Sequence, residues 1–209
     1  MAKPPLSRIR VTFQRELAYQ QQLVNQAKGY LVPKARAHRL LTMKEHASIA
    51  ELAYLKVFLA WERFLEQSFL YYMCGHKEPK IKCHCFVVAP NLDHASVLVY
   101  PEGRHYAEWG NPVRVRDRAK RFFKEGEPYW SALGAAFDKL EEMRKIRNCI
   151  AHPSKYAREQ FEKVVRASLG HVPKRISPGD FLLRNIRGPS NRFEIYICTI
   201  SIISGKIIT

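Results

Sequence analysis

The sequence has few acidic residues and no long hydrophobic run, and each shortage excludes a class of protein. It holds 19 Asp and Glu against 35 Lys and Arg in 209 residues, which gives a net charge of +16. An excess of this size favours a polyanionic partner, with nucleic acid as the first candidate and an anionic membrane as the second. However, no apolar stretch reaches the roughly 18 to 20 residues that span a bilayer, and the amino-terminal residues lack the apolar core of a signal peptide. We therefore expect a cytoplasmic protein with no membrane partner.

Cysteines are also few, and their spacing favours neither disulfides nor a metal site. The chain has five cysteines, an odd number without a regular framework, which is typical of a reducing compartment. Cys83, His84 and Cys85 follow His76, but adjacent residues lack the gap of about two to four positions by which zinc sites present paired ligands. The sequence therefore predicts no disulfide, no metal and no cofactor.

Hydrophobic periodicity predicts a mainly α protein. The predicted helices cover residues 6–30, 42–74, 111–124, 128–151 and 154–169. Thr42 and Glu45 have the spacing of a capping box at the start of the long second helix. Pro153 disfavours helical geometry at His152, so it should bend or end the fourth helix there. Four substantial helices favour a helical bundle.

Two stretches depart from the helical pattern. Residues 76–110 read as a hairpin or a structured loop, because the β-prone runs Phe86–Ala89 and Val97–Tyr100 are too short for helices. With the basic helix that follows, they form an inserted basic segment over residues 76–127. Near the other end, residues 193–203 alternate and are rich in β-branched side chains, which predicts a strand or hairpin. We expect one domain and a short β-prone tail that packs on it. Their predicted ranges are 1–170 and 171–209.

Three side chains at the end of the fourth helix carry the chemistry. Arg147 carries a permanent charge and His152 carries an imidazole, and these are the two residue types needed to cleave a phosphodiester without a metal. His152 would exchange a proton with the ribose 2′-hydroxyl or the leaving 5′-oxygen, while Arg147 neutralises the phosphorane. Asn148 lies four residues before His152, on the same helical face, and would orient either group.

The spacing alone leaves a structural role open for this motif. An Arg five positions before a His is a frequent chance occurrence, and an Arg near a helix C-terminus also complements the helix dipole. Arg147 falls in the apolar register of Leu140 and Met143, however. A guanidinium at such a position needs an anion, an acceptor or an interface open to water.

A basic stretch before this helix is a candidate RNA-binding surface. Its six cationic residues are Arg114, Arg116, Arg118, Lys120, Arg121 and Lys124. They would contact the phosphate backbone and give a salt-dependent, sequence-independent part of RNA affinity, or else form a solvated basic face. Tyr106 and Trp109, just before them, would stack on unpaired bases or pack the loop.

The motif resembles that of the HEPN superfamily, which consists of an Arg, a polar residue and a His four to six positions after the Arg. Here it is formed by Arg147, Asn148, Cys149, Ile150, Ala151 and His152, late in the third bundle helix as in that family. The long helix with Trp61–Glu66 is similar to the second helix of HEPN proteins encoded beside bacterial defence and toxin genes. The resemblance covers roughly residues 8–170.

This resemblance implies an up-and-down four-helix bundle and a metal-independent endoribonuclease. Two chains would pair so that both copies of Arg147 and His152 line one composite site, and cleavage would leave 2′,3′-cyclic phosphate and 5′-hydroxyl ends. Such a protein would be a toxin or antiviral effector that an antitoxin or another inhibitory partner holds in check. Apart from the resemblance, the position of Glu62 and Glu66 on the long helix would let one of them orient His152 or pair with Arg147, or else each is a surface charge.

One position departs from the pattern of the family. Some relatives are silenced by nucleotidylation of a Tyr two residues after the motif His, whereas this chain has Ser154 there and its nearest tyrosine is Tyr156. Other family members keep the bundle for binding or scaffolding alone. The alternative function is therefore a non-catalytic RNA-binding or regulatory module.

Overall fold

A computed structural model describes residues 6–31, 41–100, 108–186 and 188–209, and these residues form mostly helices. The helices are α1 (Leu6–Gly29), α2 (Met43–Met73), α3 (Leu92–Val99), α4 (Pro112–Phe122), α5 (Tyr129–Gly134), α6 (Phe137–Ala151), α7 (Lys155–Leu169), α8 (Pro178–Leu183) and α9 (Arg192–Ile207). Within the described ranges, β pairing is limited to isolated bridges. No helix of these ranges is long and apolar enough to cross a membrane. The predicted mainly α class is confirmed.

Local signals in the sequence account for the ends of the long helices. The α2 helix has 31 residues, about 46 Å at the usual rise per residue. The Thr42 amide donates to the Glu45 carboxylate (2.6 Å) and the Glu45 amide donates to the Thr42 hydroxyl (3.2 Å), which confirms the capping box. Gly75 follows the helix with a φ of 79°, a left-handed conformation that glycine adopts without strain.

The predicted helix over residues 128–151 is interrupted. It forms α5 and α6, which are separated by a turn at Ala135 and Ala136. Gly134, a weak helix former, ends α5, and the Ala136 amide bonds the Leu133 carbonyl three residues back (3.3 Å) rather than four. The α6 helix therefore begins afresh before it reaches the motif.

The β-prone C-terminal tail predicted over residues 193–203 is wrong, because these residues lie in α9. The buried side chains of α9 recur at helical spacing. They are Phe193, Tyr196, Ile197, Ile200, Ile203, Ser204 and Ile207. Packing on that face outweighs the β preference of the isoleucines, because local β propensity has less effect on secondary structure than packing once a side chain is buried.

The short strands predicted in the inserted segment are also wrong. The run Val97–Tyr100 belongs to the end of α3, whose first turn is capped by the Asn91 side chain as it accepts from the His94 amide (2.8 Å). The run Phe86–Ala89 is not a strand, although the neighbouring Cys85 forms an isolated bridge with Phe123. For the run that ends α3, an N-cap and about two helical turns thus prevail over local β propensity.

The described residues divide into two compact units whose boundary falls inside α1, α2, α6 and α9. The first unit takes in the described residues of Met1–Arg15, Ala60–Glu141 and Thr199–Thr209. The second takes in those of Glu16–Leu59 and Glu142–Cys198. Each of the four helices therefore contributes residues to both units.

The first unit has an aromatic core around Phe69 of α2. The ring centroid of Phe69 lies 4.7 Å from that of Phe123, 5.1 Å from Tyr129 and 5.3 Å from Trp109. The buried Tyr129 hydroxyl donates to the Ser68 hydroxyl at 2.8 Å. Large rings packed edge to face thus join α2 to the residues that flank α4.

In the second unit, the side chain of Tyr54 on α2 holds the part of α6 that belongs to this unit. Its hydroxyl donates to the Met143 carbonyl at 3.0 Å, and its ring lies 6.3 Å from Phe193 and 6.1 Å from Tyr196, both on α9. Burial, with smaller contributions from Tyr196 and Glu142, raises the pKa of Tyr54 well above its usual value. The hydroxyl therefore remains a donor and fixes the part of α6 that precedes the motif.

A buried cation completes this core. The side chain of Arg192, only 1% exposed, donates to the Ser168 hydroxyl (2.5 Å), and its guanidinium carbon lies 4.2 Å from the ring centroid of Phe181. Burial lowers the pKa of Arg192, yet a guanidinium keeps its proton at any physiological pH. Its hydrogen bonds and the ring face replace the water that it has lost.

The α8 helix approaches α2 so closely that one position admits only glycine. The Gly179 amide donates to the Glu51 carboxylate at 2.7 Å, and a Cβ atom at Gly179 would overlap the carbonyl of Ala47. Both contacts lie within the second unit.

We predict that Gly179→Ala lowers the free energy of unfolding by about 1 to 3 kcal/mol, because a methyl group there forces α8 away from α2. Gly29→Ala is the matched control, since a Cβ at this exposed helix end meets nothing within 4 Å. The control should be neutral or slightly stabilising. Urea unfolding followed by circular dichroism measures both variants. Equal stability of the two would contradict the close approach described here.

Candidate active site

The motif ends at a tight corner between α6 and α7. The His152 amide donates to the Asn148 carbonyl at 2.9 Å, so helical hydrogen bonding reaches His152 although α6 ends at Ala151. Pro153 then turns the chain, and the Ser154 hydroxyl caps α7 by accepting from the Ala157 amide at 3.1 Å. The predicted end of the helix before Pro153 is confirmed. His152 is exposed at this corner.

Arg147 and Asn148 form a hydrogen-bonded pair one helical turn before His152. Arg147 Nη1 donates to Asn148 Oδ1 at 3.1 Å, and the guanidinium carbon lies 5.6 Å from the ring centroid of Phe58. Because the Asn148 oxygen accepts from Arg147, the amide nitrogen of Asn148 is the end that can donate to another group. The sequence-predicted residues Arg147 and Asn148 are therefore in contact.

Arg147 lies at the edge of the buried face of α6 rather than in its centre. The buried positions of this helix are Leu140, Met143, Ile146 and Cys149, so the stripe passes through Ile146 and not through Arg147. The predicted apolar register of Arg147 is wrong by one position. A half-buried edge lets the guanidinium rest on a ring and still reach solvent.

The cysteine inside the motif is a packing residue. Cys149 is buried, and desolvation, opposed in part by Arg158, raises the pKa of its thiol. It therefore remains protonated near neutral pH, and a protonated thiol is a poor nucleophile.

The acidic residues of α2 have partners of their own. The Tyr100 hydroxyl donates to the Glu66 carboxylate, and the Trp109 indole N–H donates to the Tyr100 oxygen at 2.9 Å. Burial and the bond to Glu66 raise the pKa of Tyr100 to about 12. Glu62 is half-buried, and both glutamates lie in the first unit, whereas Arg147 lies in the second. The orienting role of Glu62 or Glu66 stays a prediction.

The predicted basic helix exists as α4, and an aromatic ring holds two of its cations. Asn111 caps it by accepting from the Val113 amide at 3.1 Å. The Arg116 guanidinium carbon lies 3.7 Å from the ring centroid of Trp130, and Lys120 Nζ lies 3.5 Å from it. Two cations so close to one centroid would collide on the same face, so they lie on opposite faces. Trp130 is clamped between them.

The other cations of this stretch differ in exposure. The Arg118 guanidinium carbon lies 4.5 Å from the ring centroid of Trp109, and burial lowers the pKa of Arg118 without removing its charge. Arg114 is exposed and lies 3.7 Å from the Glu108 carboxylate. Arg121 and Lys124 are also exposed. The basic stretch is thus partly an aromatic packing surface and partly a solvated one.

The structure bears on only one of the two aromatic residues that were predicted to stack on bases. Trp109 is only 4% exposed and already contacts Phe69 and Arg118. It packs the fold, as the alternative reading of the loop predicted, and offers no open face to a base. Tyr106 lies outside the described residues.

Burial affects the thiols of the cysteine-rich segment. Burial raises the pKa of Cys83 to about 12 and also raises that of Cys85, whose sulfur donates to the Val87 carbonyl at 2.8 Å. In the described part of the chain, no group of three or more His, Cys, Asp or Glu side chains could hold a metal ion.

In comparisons with protein-family models, with curated proteins and with solved structures, the chain matches none. The resemblance to HEPN proteins rests on the motif and on the helical pattern around it. Sequence reasoning missed the ring partners Phe58 and Trp130. Neither lies near its cation in the sequence at a helical spacing, so only the fold brings them together.

We predict that Trp130→Leu lowers the free energy of unfolding by about 2 kcal/mol, because Arg116 and Lys120 lose the face on which they rest. Trp130→Phe is the matched variant, since it keeps an aromatic face of smaller area. It should lose less. Chemical unfolding at constant pH and salt compares the two, and equal losses would show that the clamp contributes nothing beyond apolar contact.

Proposed function

We propose that this protein is a metal-independent endoribonuclease of the HEPN type, an up-and-down helical bundle that acts in the cytoplasm as a toxin or antiviral effector. The observation that carries the proposal is the corner between α6 and α7. There an exposed His152 follows the Arg147–Asn148 pair by one helical turn. This arrangement offers a titratable imidazole, a permanent cation and an amide donor on one helix end.

The proposed reaction is an internal displacement on the ribose. The imidazole of His152 accepts the proton of the 2′-hydroxyl, and that oxygen attacks the adjacent phosphorus. The bond from phosphorus to the 5′-oxygen breaks, and the leaving oxygen takes a proton. Arg147 stabilises the negative charge of the phosphorane, and the Asn148 amide nitrogen donates to a phosphate oxygen. The products are a 2′,3′-cyclic phosphate and a 5′-hydroxyl.

A second copy of the chain would complete this site. One imidazole cannot accept a proton and donate another in the same displacement, whereas two copies of His152 supply a base and an acid together. We therefore propose a homodimer with a composite site. Because His152 is exposed, an antitoxin or another inhibitory partner would silence the protein by covering the corner.

The exposed cations of the basic stretch, residues 114–124, supply the proposed contact with RNA. Arg114, Arg121 and Lys124 face solvent, so they are available to phosphates. The guanidinium of Arg116 and the ammonium of Lys120 are oriented by Trp130 and keep their charge. This contribution would be independent of sequence and weaken with salt.

We predict that the purified protein cleaves RNA in EDTA, spares an all-deoxy substrate, and loses cleavage in His152→Ala by a factor of about 100 or more. Arg147→Lys should also lose most activity, because an ammonium lacks the planar donor fork. Gel analysis of product ends measures the reaction. His171→Ala is the matched control, because His171 is an exposed histidine outside the motif.

Cleavage that requires a divalent metal, or that survives in His152→Ala at the rate of the control, would disprove this mechanism. The second candidate function is a non-catalytic RNA-binding or regulatory module. The clamp of Arg116 and Lys120 on Trp130 favours it, since this preformed basic surface does not depend on the motif. Salt-dependent RNA binding without cleavage, unchanged in His152→Ala, would support that function instead.

A further inference from the structure

One stretch of α1 exposes no charge at all. Residues 17–27 contain no Lys, Arg, Asp or Glu, although 26% of the chain is charged. The exposed residues of this stretch are Ala18, Tyr19, Gln22, Leu23, Asn25 and Gln26, here named the uncharged α1 face. The outer face of a surface helix ordinarily carries charged side chains. Their absence over three turns is typical of a surface that another molecule covers.

The side chains of this face offer apolar area and amide groups together. Tyr19, Leu23 and Gln26 follow one another at steps of four and three residues, so they share one side of the helix. Tyr19 is 61% exposed and Leu23 is 38% exposed. Beside them, Gln21, Gln22, Asn25 and Gln26 line a shallow depression with Ala18. Exposed tyrosine and leucine next to adaptable amides are suited to a protein interface.

We propose that the uncharged α1 face binds the same face of a second copy of this chain. Each amide side chain is both a donor and an acceptor, so a glutamine can pair with its own symmetry mate, which a cation or a carboxylate cannot do. A two-fold axis brings identical patches together and requires this self-complementarity. The inference names a surface through which two copies can pair, and it rests on the proposed function for the need of a second copy.

The charge of the chain favours a second copy over RNA or an acidic protein as the partner of the uncharged α1 face. Each chain carries a net charge of +16, so two copies repel one another and approach best where neither exposes a charge. RNA is disfavoured, because this face has no Lys or Arg to neutralise phosphates. An acidic protein is disfavoured for the same reason.

The test is the mass of the protein in solution, free of RNA, over a range of concentrations. Sedimentation velocity should show a reversible monomer–dimer equilibrium for the wild type. In the double variant Leu23→Lys/Gln26→Lys, like charges meet across the axis, and the dissociation constant should rise by on the order of a hundredfold. Lysine is a good helix former, so α1 should be retained, which circular dichroism checks.

The matched control is Leu52→Lys/Gln67→Lys on α2. It makes the same two replacements at exposed helical positions and adds the same charge. Its dissociation constant should equal that of the wild type. A further variant, Leu23→Glu/Gln26→Glu, should remain monomeric alone but form a mixed dimer with the lysine variant, because opposite charges then face each other.

Three results would overturn the inference: a wild type that is monomeric throughout, a lysine variant that dimerises like the control, or variants that do not pair when mixed. Loss of RNA affinity in the glutamate variant at unchanged mass would assign this face to RNA and overturn it as well. The proposed function fails separately. If the wild type dimerises through α1 but does not cleave RNA, the inferred interface is supported and the proposed nuclease is disproved. If the lysine variant remains dimeric and cleaves RNA, the proposed nuclease is supported and the inferred interface is disproved.

Discussion

The excess of cations over carboxylates is the constraint on which much of this structure depends. With 35 basic and 19 acidic side chains, one-to-one pairing would leave 16 guanidinium and ammonium groups without a carboxylate. Aromatic faces lie against cations at several positions, among them Arg192 over Phe181 at 4.2 Å and Arg116 over Trp130 at 3.7 Å. A ring face offers negative potential and apolar contact at once, so an arginine that cannot neutralise itself can still be partly buried.

The same interaction prepares the candidate site. The guanidinium of Arg147 lies 5.6 Å from the Phe58 ring and donates to Asn148, so neither contact cancels its charge. Held in this way, the side chain of Arg147 loses much of its conformational freedom, which reduces the entropy lost when the proposed site binds a phosphate.

The sequence predicts the local features of this protein better than its tertiary contacts. Helix ends at Gly75 and Pro153 follow from the backbone preferences of those two residues, and so they are readable from the chain alone. The α9 helix cannot be read from the chain alone, because its isoleucines favour a strand. Packing of a buried face at helical spacing makes the segment a helix. The ring partner of Arg147 lies about 90 positions away in the sequence, where neither periodicity nor spacing carries information. The proposed chemistry of Arg147, Asn148 and His152 depends on local spacing, and the environment of the site depends on the fold.

The placement of α9 bears on the order in which this chain can fold during synthesis. Its early residue Phe193 packs near Tyr54 in the second unit, and its late residue Ser204 accepts from Gln14 at 2.8 Å in the first. Both units therefore stay incomplete until this helix has left the ribosome, well after the motif on α6 has emerged. A nascent chain would carry Arg147 and His152 without the packing that arranges them. For a protein proposed to act on RNA, this sequence of events would keep the site unassembled beside the ribosome's own RNA.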